Sequence, residues 1–279
     1  MTAIHFFSSR LGFEPETLIT VERMSDSLSN TLVNKYDLFL KRVKAGQGLP
    51  LGSLNLHTKF LYLYIRAAHS KEASLLNWAR NAYDGTEVGD IRFEPWIGVG
   101  GRATSPIAYI NNNMIPSIDN EFYMQVKWGG YVSEDFKGFD GNLDPAISGA
   151  QDTRVGANAH YGILTPRQAA VMQSWGQGNV FFIDANKEGL YEAVRGVTGT
   201  NQANGNYNGF LNTNTLVQGV RHPPINWYSL ARNRINGSIG VSGTPFNVND
   251  TGFCRFEYFG SNQINSPELY HSIIWFLNL

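Results

Sequence analysis

Trp227-Tyr228-Ser229-Leu230-Ala231-Arg232-Asn233-Arg234-Ile235-Asn236-Gly237-Ser238-Ile239-Gly240-Val241 reads as two alternating apolar runs hinged on Asn236-Gly237. Asn-Gly tolerates positive φ at both central positions of a type I′ turn, and the twist of that turn matches two antiparallel strands, so the stretch predicts a β-hairpin. A second unit of the same kind lies downstream. Phe253 to Phe259 alternates aromatic and charged residues, Gly260-Ser261-Asn262 has turn chemistry, and Leu269 to Leu277 is a last apolar run. The expectation for that run is a final strand stitched into a sheet. Together the two units predict an antiparallel β protein, most simply a two-layer sandwich.

Working upstream, the β texture extends back to Asp84-Gly85. Strands are expected at Ile91 to Val99, Ile107 to Met114, Glu121 to Val132, Thr153 to Ile163, Val180 to Ile183 and Thr215 to Val220, and at Trp227 to Asn233 and Ile235 to Val241 within the quoted stretch. Their separators, such as Gly100-Gly101, Gly129-Gly130, 138–142 and Pro223-Pro224, are turn formers. Many short strands at this spacing predict a jelly roll or sandwich. The Asn/Gly-rich tract from Gly199 to Asn214 breaks the rhythm and predicts a long exposed loop.

The first 85 residues differ. Leu18 to Val21 resembles a short strand. Ser25 or Asp26 is placed to cap a helix whose apolar positions Leu28, Leu32, Tyr36, Phe39, Leu40 and Val43 recur at three and four. Lys41, Arg42 and Lys44 gather where the helix dipole favours cations, and Gly46 and Gly48 end the helix. Leu54 to Arg66 is apolar on every face and reads as a buried connector, helix or strand, and Ala67 to Arg80 as a loop over a sheet edge. The predicted organisation is therefore an N-terminal segment, 1–85, with one amphipathic helix for attachment or oligomerisation, and a β-sandwich, 86–279.

Composition narrows the function. Hydrophobic residues make up 42% and charged residues 16% of 279, a globular balance rather than that of a disordered tail. A net charge of −1 and the lack of a Lys/Arg run argue against nucleic acid as a partner. No apolar run is long enough for a membrane span, and the first residues carry no signal-peptide pattern, which fits either a cytosolic protein or one assembled into a virus particle inside a cell. Cys254, the single cysteine, sits in an alternating strand and reads as a small buried hydrophobe.

Catalytic and metal motifs are sparse. A jelly-roll glycosidase needs two carboxylates flanking one bond, and no strand shows Glu-x-Asp-x-Glu. The six histidines never fall at helical ligand spacing, and Asp140 with Asp144 lacks the oxygen spacing of a calcium loop, so neither metal nor cofactor is expected and the chain reads as a non-enzyme. Aromatic faces stack on sugar C–H bonds, which makes Trp128 and Tyr131 beside Gly129-Gly130, Trp175 beside Gly176, and Tyr207 the candidate carbohydrate-binding residues.

Two stretches resemble a group of virion proteins of tailed bacteriophages that carry a concanavalin A or laminin-G-like jelly roll. The helix end Phe39-Leu40-Lys41-Arg42-Val43-Lys44-Ala45-Gly46 is followed by Leu61 to Ile65, then by Ala68-His69 and Leu75-Leu76-Asn77, in the order seen in that group. Arg232 to Gly237 and Phe256 to Asn262 are similar to its C-terminal strands and turns. The resemblance implies a structural virion protein: a capsid decoration, head fibre or tail-associated adhesin. It also implies other virion proteins as partners, a homo-oligomer with a trimer favoured, and possible contact with host surface polysaccharide. The alternative is a lectin-like carbohydrate-binding module with no purely structural role. No ligand residue is carried over from the group.

Overall fold

The computed structural model describes residues 12–101, 108–123, 125–133, 137–138, 146–152, 159–164, 187–196, 202–211, 216–217, 223–235, 244–246 and 249–279. The chain begins with helix α1 (Pro15–Glu22) and helix α2 (Asn30–Gly46), then a 3-10 turn at Leu56–Thr58 and strand β1 (Phe60–Ile65). Helix α3 (Lys71–Leu75) leads into β2 (Thr86–Val88), β3 (Arg92–Glu94), β4 (Gly98–Gly100) and β5 (Tyr109–Asn111). Helix α4 (Pro116–Asp119) precedes β6 (Val126–Val132), β7 (Lys137–Gly138), β8 (Ala146–Asp152), β9 (Ala159–Leu164) and β10 (Gly189–Arg195). The remainder is β11 (Gln202–Tyr207), β12 (Phe210–Leu211), β13 (Leu216–Val217), β14 (Tyr228–Ser229), β15 (Arg232–Ile235), β16 (Thr244–Phe246), β17 (Asn249–Thr251), β18 (Cys254–Ser261) and helix α5 (Ser266–Leu277).

The molecule is mainly β, with two large sheets. The first runs β12-β11-β10-β6-β18-β4-β3, with β1 also on β18 and β13 on β11. The second runs β16-β15-β8-β14-β5-β2, with β9 on β8. Among the described residues pairing is antiparallel except between β15 and β8, which run parallel from Arg232↔Gly149 to Ile235↔Asp152. The sheets pack face to face. Trp128 on β6 meets Trp227 edge-on at 5.9 Å, and Phe259 on β18 meets the same indole at 5.3 Å.

The opposite face of the first sheet is covered by helices. Phe39 of α2, Phe276 of α5 and Phe256 of β18 form a mutually packed triad with centroids 5.0–5.6 Å apart. The first sheet is thus buried on both sides, which explains why β1, Phe-Leu-Tyr-Leu-Tyr-Ile, is apolar without alternation. The result is three layers: helices, first sheet, second sheet. The boundary drawn at residue 85 does not separate two cores, because β1 pairs along β18 and α2 packs on α5.

Several expectations are corrected. Leu269 to Leu277 is helix, not a final strand: Asn265 caps it by accepting from Glu268 N, and a proline stands in its first turn. Leu18 to Val21 lies in α1 rather than in a strand. Helix α2 starts at the Ser29 cap, not at Ser25 or Asp26, because the Ser25 hydroxyl and N–H are spent on Glu72. Ala67 to Arg80 is no surface loop. It contains α3 and is latched to β1 by Asn77, whose Oδ1 accepts from Leu63 N and whose Nδ2 donates to Leu61 O.

Gly129-Gly130 is not a turn but the middle of the central strand β6. A Cβ on Gly129 would stand 2.6 Å from the Tyr191 carbonyl oxygen, and one on Gly130 would stand 2.5 Å from Ile147 of the facing sheet, so close approach rather than turning demands these glycines. Part of the Asn-rich tract is strand as well. Tyr207 pairs with Phe210 across Asn208-Gly209, both at positive φ, so the two-residue Asn-Gly hairpin occurs here. Ile91 to Val99 is split into β3 and β4 around Trp96, and Trp227 to Asn233 is split at Leu230, both at positive φ. Strand β15 pairs with Thr244–Phe246, and the turn expected at Asn236-Gly237 lies outside the described residues. Strands β8 and β10 had no counterpart among the expected strands, and Val180 to Ile183 lies outside the described residues.

Candidate functional site

The densest charged constellation lies between the two sheets. Alternation along β1 sends Tyr62, Tyr64 and the following Arg66 toward the second sheet, and β18 sends Glu257 to meet them across the Tyr64↔Glu257 pair. Arg66 Nη2 donates to Glu257 Oε2 at 2.9 Å and to Ser229 Oγ at 2.8 Å, and Nη1 donates to the Ser74 carbonyl at 2.8 Å. Tyr62 OH donates to Glu257 Oε1 at 3.0 Å, and Asn112 Nδ2 donates to the same oxygen at 3.2 Å. The Ser229 hydroxyl donates to Glu257 Oε2, and the guanidinium lies 3.9 Å from the Tyr64 ring centre.

Every polar member of this cluster is fully buried. Burial pushes the Tyr62 and Tyr64 phenols well above their ordinary range, and the Glu257 charge adds to the rise, so both remain protonated donors. A carboxylate beside a serine and a guanidinium is a familiar catalytic grouping, but here both Glu257 oxygens and both Arg66 Nη atoms are engaged within the protein. The arrangement holds β1 and β18 of one sheet to β5 and β14 of the other. Nearby, burial pushes the Cys254 thiol up and its Sγ–H donates to Phe256 O, so Cys254 is the buried small side chain expected of it rather than a nucleophile.

Two further charged groups have the same inward character. Lys44 of α2 is fully buried and donates to Glu16 Oε2 at 2.7 Å, to Glu14 and to Ser53 O. Glu16 Oε1 in turn accepts from Asn55 N and Leu56 N. Lys44 therefore docks α1 and the 3-10 turn onto α2, a role different from the dipole cation expected of it. On the helical face of the first sheet, Lys127 donates to Ile264 O at 2.6 Å and to Ser266 Oγ at 2.7 Å, and the buried Glu192 accepts from Tyr258 OH. Burial lowers the Lys127 pKa and raises that of Glu192.

A partly exposed aromatic cluster joins α2 to the β3–β4 turn. Tyr36 OH accepts from His69 N at 3.0 Å and lies 2.8 Å from His69 Nδ1. Because the tyrosine is fully buried, its own proton has Nδ1 as acceptor, which puts the imidazole proton on Nε2. Burial lowers the His69 pKa, against a smaller pull from Asp26 and Glu72. Trp96 closes the cluster, with Lys35 Nζ 4.0 Å from its ring centre.

The residues singled out for carbohydrate do not assemble. Trp128 is 1% exposed and stacks on Phe259, and Tyr131 is 5% exposed with its hydroxyl on Glu188, so neither offers a ring face to a sugar. Tyr207 is half-buried against Tyr191 and donates to Glu188 O. Trp175, Asp140 and Asp144 lie outside the described residues. Among the described residues no group of three or more His, Cys, Asp or Glu side chains converges as a metal site, and no helix is long and apolar enough to cross a membrane.

Sequence reasoning missed Arg66, Glu257, Asn112 and Ser229. The available signal was register: Arg66 follows Tyr62 and Tyr64 at steps of two, and Glu257 stands two residues before Phe259, so both charges fall on inward positions of apolar strands. Comparison of the chain with known protein families and with curated proteins finds no match.

Proposed function

We propose that the chain is a non-enzymatic structural component of a bacteriophage virion, a capsid decoration, head fibre or tail-associated protein. Its sandwich is then a jelly roll of the concanavalin A-like kind, and the helical layer mediates attachment to other virion proteins. One observation carries this reading: the charged groups are spent on internal cohesion, Arg66 and Glu257 between the sheets and Lys44, Glu14 and Glu16 within the helical layer, as suits a rigid building block. Large apolar side chains meanwhile stay on the surface. Phe210 and Leu211, at the β11–β12 hairpin, are 62% and 61% exposed at the end of the first sheet, where a second copy of the chain covers them in a homo-oligomer, a trimer first. Contact with host surface polysaccharide draws no support from Trp128, Tyr131 or Tyr207 and stands second to assembly.

Light scattering of the purified chain at micromolar concentration, together with mass spectrometry of purified particles, tests the proposal. A defined oligomer and a fixed copy number per particle are expected. A strict monomer that is absent from particles overturns it.

A further inference from the structure

A pocket of about 250 Å³ opens between α1, the 3-10 turn and the segment after α3. Ile19 and Leu54 form its walls, the buried Trp78 and Ala79 its base, and His57 and Arg80 its polar side. The volume falls just below the ~300–1,000 Å³ of sites for drug-sized ligands, which points to a small occupant. Its lining is overwhelmingly apolar. A sugar would leave several hydroxyls there without partners, at a cost for each, whereas an alkyl or aryl group loses nothing on entry.

Charge selects the other end of the ligand. The Glu16 carboxylate is neutralised by Lys44 and by two backbone N–H groups, so it does not repel an anion. Arg80 donates through Nη2 to His57 O, Phe60 O and Glu121, while its Nε–H has no acceptor in the protein. Glu121 itself is 49% exposed, and an ion pair with so exposed a partner is worth only ~0–1 kcal/mol. A carboxylate arriving from the pocket displaces it at little cost and gains a planar fork matched to its own geometry.

We propose that this pocket binds a small monocarboxylate with an apolar tail, the tail over the Trp78 base and the carboxylate on Arg80 in place of Glu121. The proposal does not rest on the assembly reading. Octanoate is the probe, and the full chain labelled with 5-fluorotryptophan reports through the fluorine resonance of Trp78, assigned with Trp78→Phe. Octanoate is expected to shift the Trp78 resonance saturably. Each methylene added from butanoate to octanoate tightens binding by up to about fourfold.

Leu54→Asp, at a wall residue 49% exposed and therefore tolerant of change, should weaken octanoate at least tenfold with the melting temperature kept. Glu121→Gln should tighten it severalfold, and octanol should bind more weakly than octanoate. No shift at Trp78, a shift at other tryptophans instead, or equal affinity in Leu54→Asp overturns the site. Equal binding of octanol and octanoate, unchanged by Glu121→Gln, overturns the carboxylate assignment. A monomeric protein that binds octanoate as described overturns the assembly reading alone.

Discussion

Arg66, the residue after β1, and Glu257 on β18 form a 2.9 Å ion pair with both side chains fully buried, at the point where the two sheets meet. Removing one partner strands a charge in a medium that cannot solvate it, which costs about 3–5 kcal/mol. Arg66→Met and Glu257→Gln are each expected to lower the unfolding free energy by that order, read from urea unfolding. Arg66→Met combined with Glu257→Gln should cost less than the sum of the single changes, because no lone charge remains. Additive losses in a double-mutant cycle would show that the pair is not coupled.

The two glycines of β6 make a sharper contrast. At Gly129 an added Cβ meets the Tyr191 carbonyl oxygen, a backbone atom that no side-chain change can move; at Gly130 it meets Ile147 Cγ2. Gly129→Ala and Gly130→Ala should each destabilise by about 1–3 kcal/mol. Ile147→Ala is expected to relieve the Gly130→Ala strain and leave that of Gly129→Ala untouched. Equal behaviour of both glycines in thermal unfolding would contradict the face assignment of β6.

The same strand shows why some of the fold was legible and some was not. The pattern at Phe253 to Phe259 located β18, and the Asn-Gly rule describes the hairpin at Asn208-Gly209, while Asn236-Gly237 lies outside the described residues. Local chemistry names a turn without saying which copy of it tertiary structure uses. Gly129-Gly130 has the local preference of a turn, yet packing against Tyr191 and Ile147 holds it extended, a constraint from residues far along the chain. Leu269 to Leu277 is apolar at helical and strand spacings alike; Asn265-Ser266-Pro267-Glu268 held the deciding start signal. The inter-sheet cluster stayed hidden because its members come from β1, β5, β14 and β18, whose pairing no local pattern reveals.

Acid should loosen the helical layer through His69. Its folded pKa is depressed below the ordinary 6.5, chiefly by burial, so the unfolded chain takes up a proton first as pH falls. Stability from this group is whole above about pH 6.5 and declines as pH drops through 6.5 toward the folded value. Protonation also puts a hydrogen on Nδ1, where Tyr36 OH now donates. The melting temperature is expected to fall between pH 7 and pH 5, and less steeply in His69→Gln. Identical slopes for the two proteins would remove His69 as the cause.

Phe210 and Leu211 carry the last expectation, because they separate assembly from folding. Both project from the short strand β12, which among the described residues pairs with β11 at Asn206↔Leu211 and Tyr207↔Phe210. Their side chains contribute little to the interior, so Phe210→Asp with Leu211→Asp should change unfolding free energy by no more than ~0.5 kcal/mol per site, as surface substitutions do. In an oligomer that covers them, the same change places two carboxylates against a neighbouring copy, where desolvation opposes contact. Native mass spectrometry is therefore expected to show monomers of unchanged melting temperature. An oligomer that persists in the double variant would place the contact elsewhere on the protein and disqualify this end of the sheet.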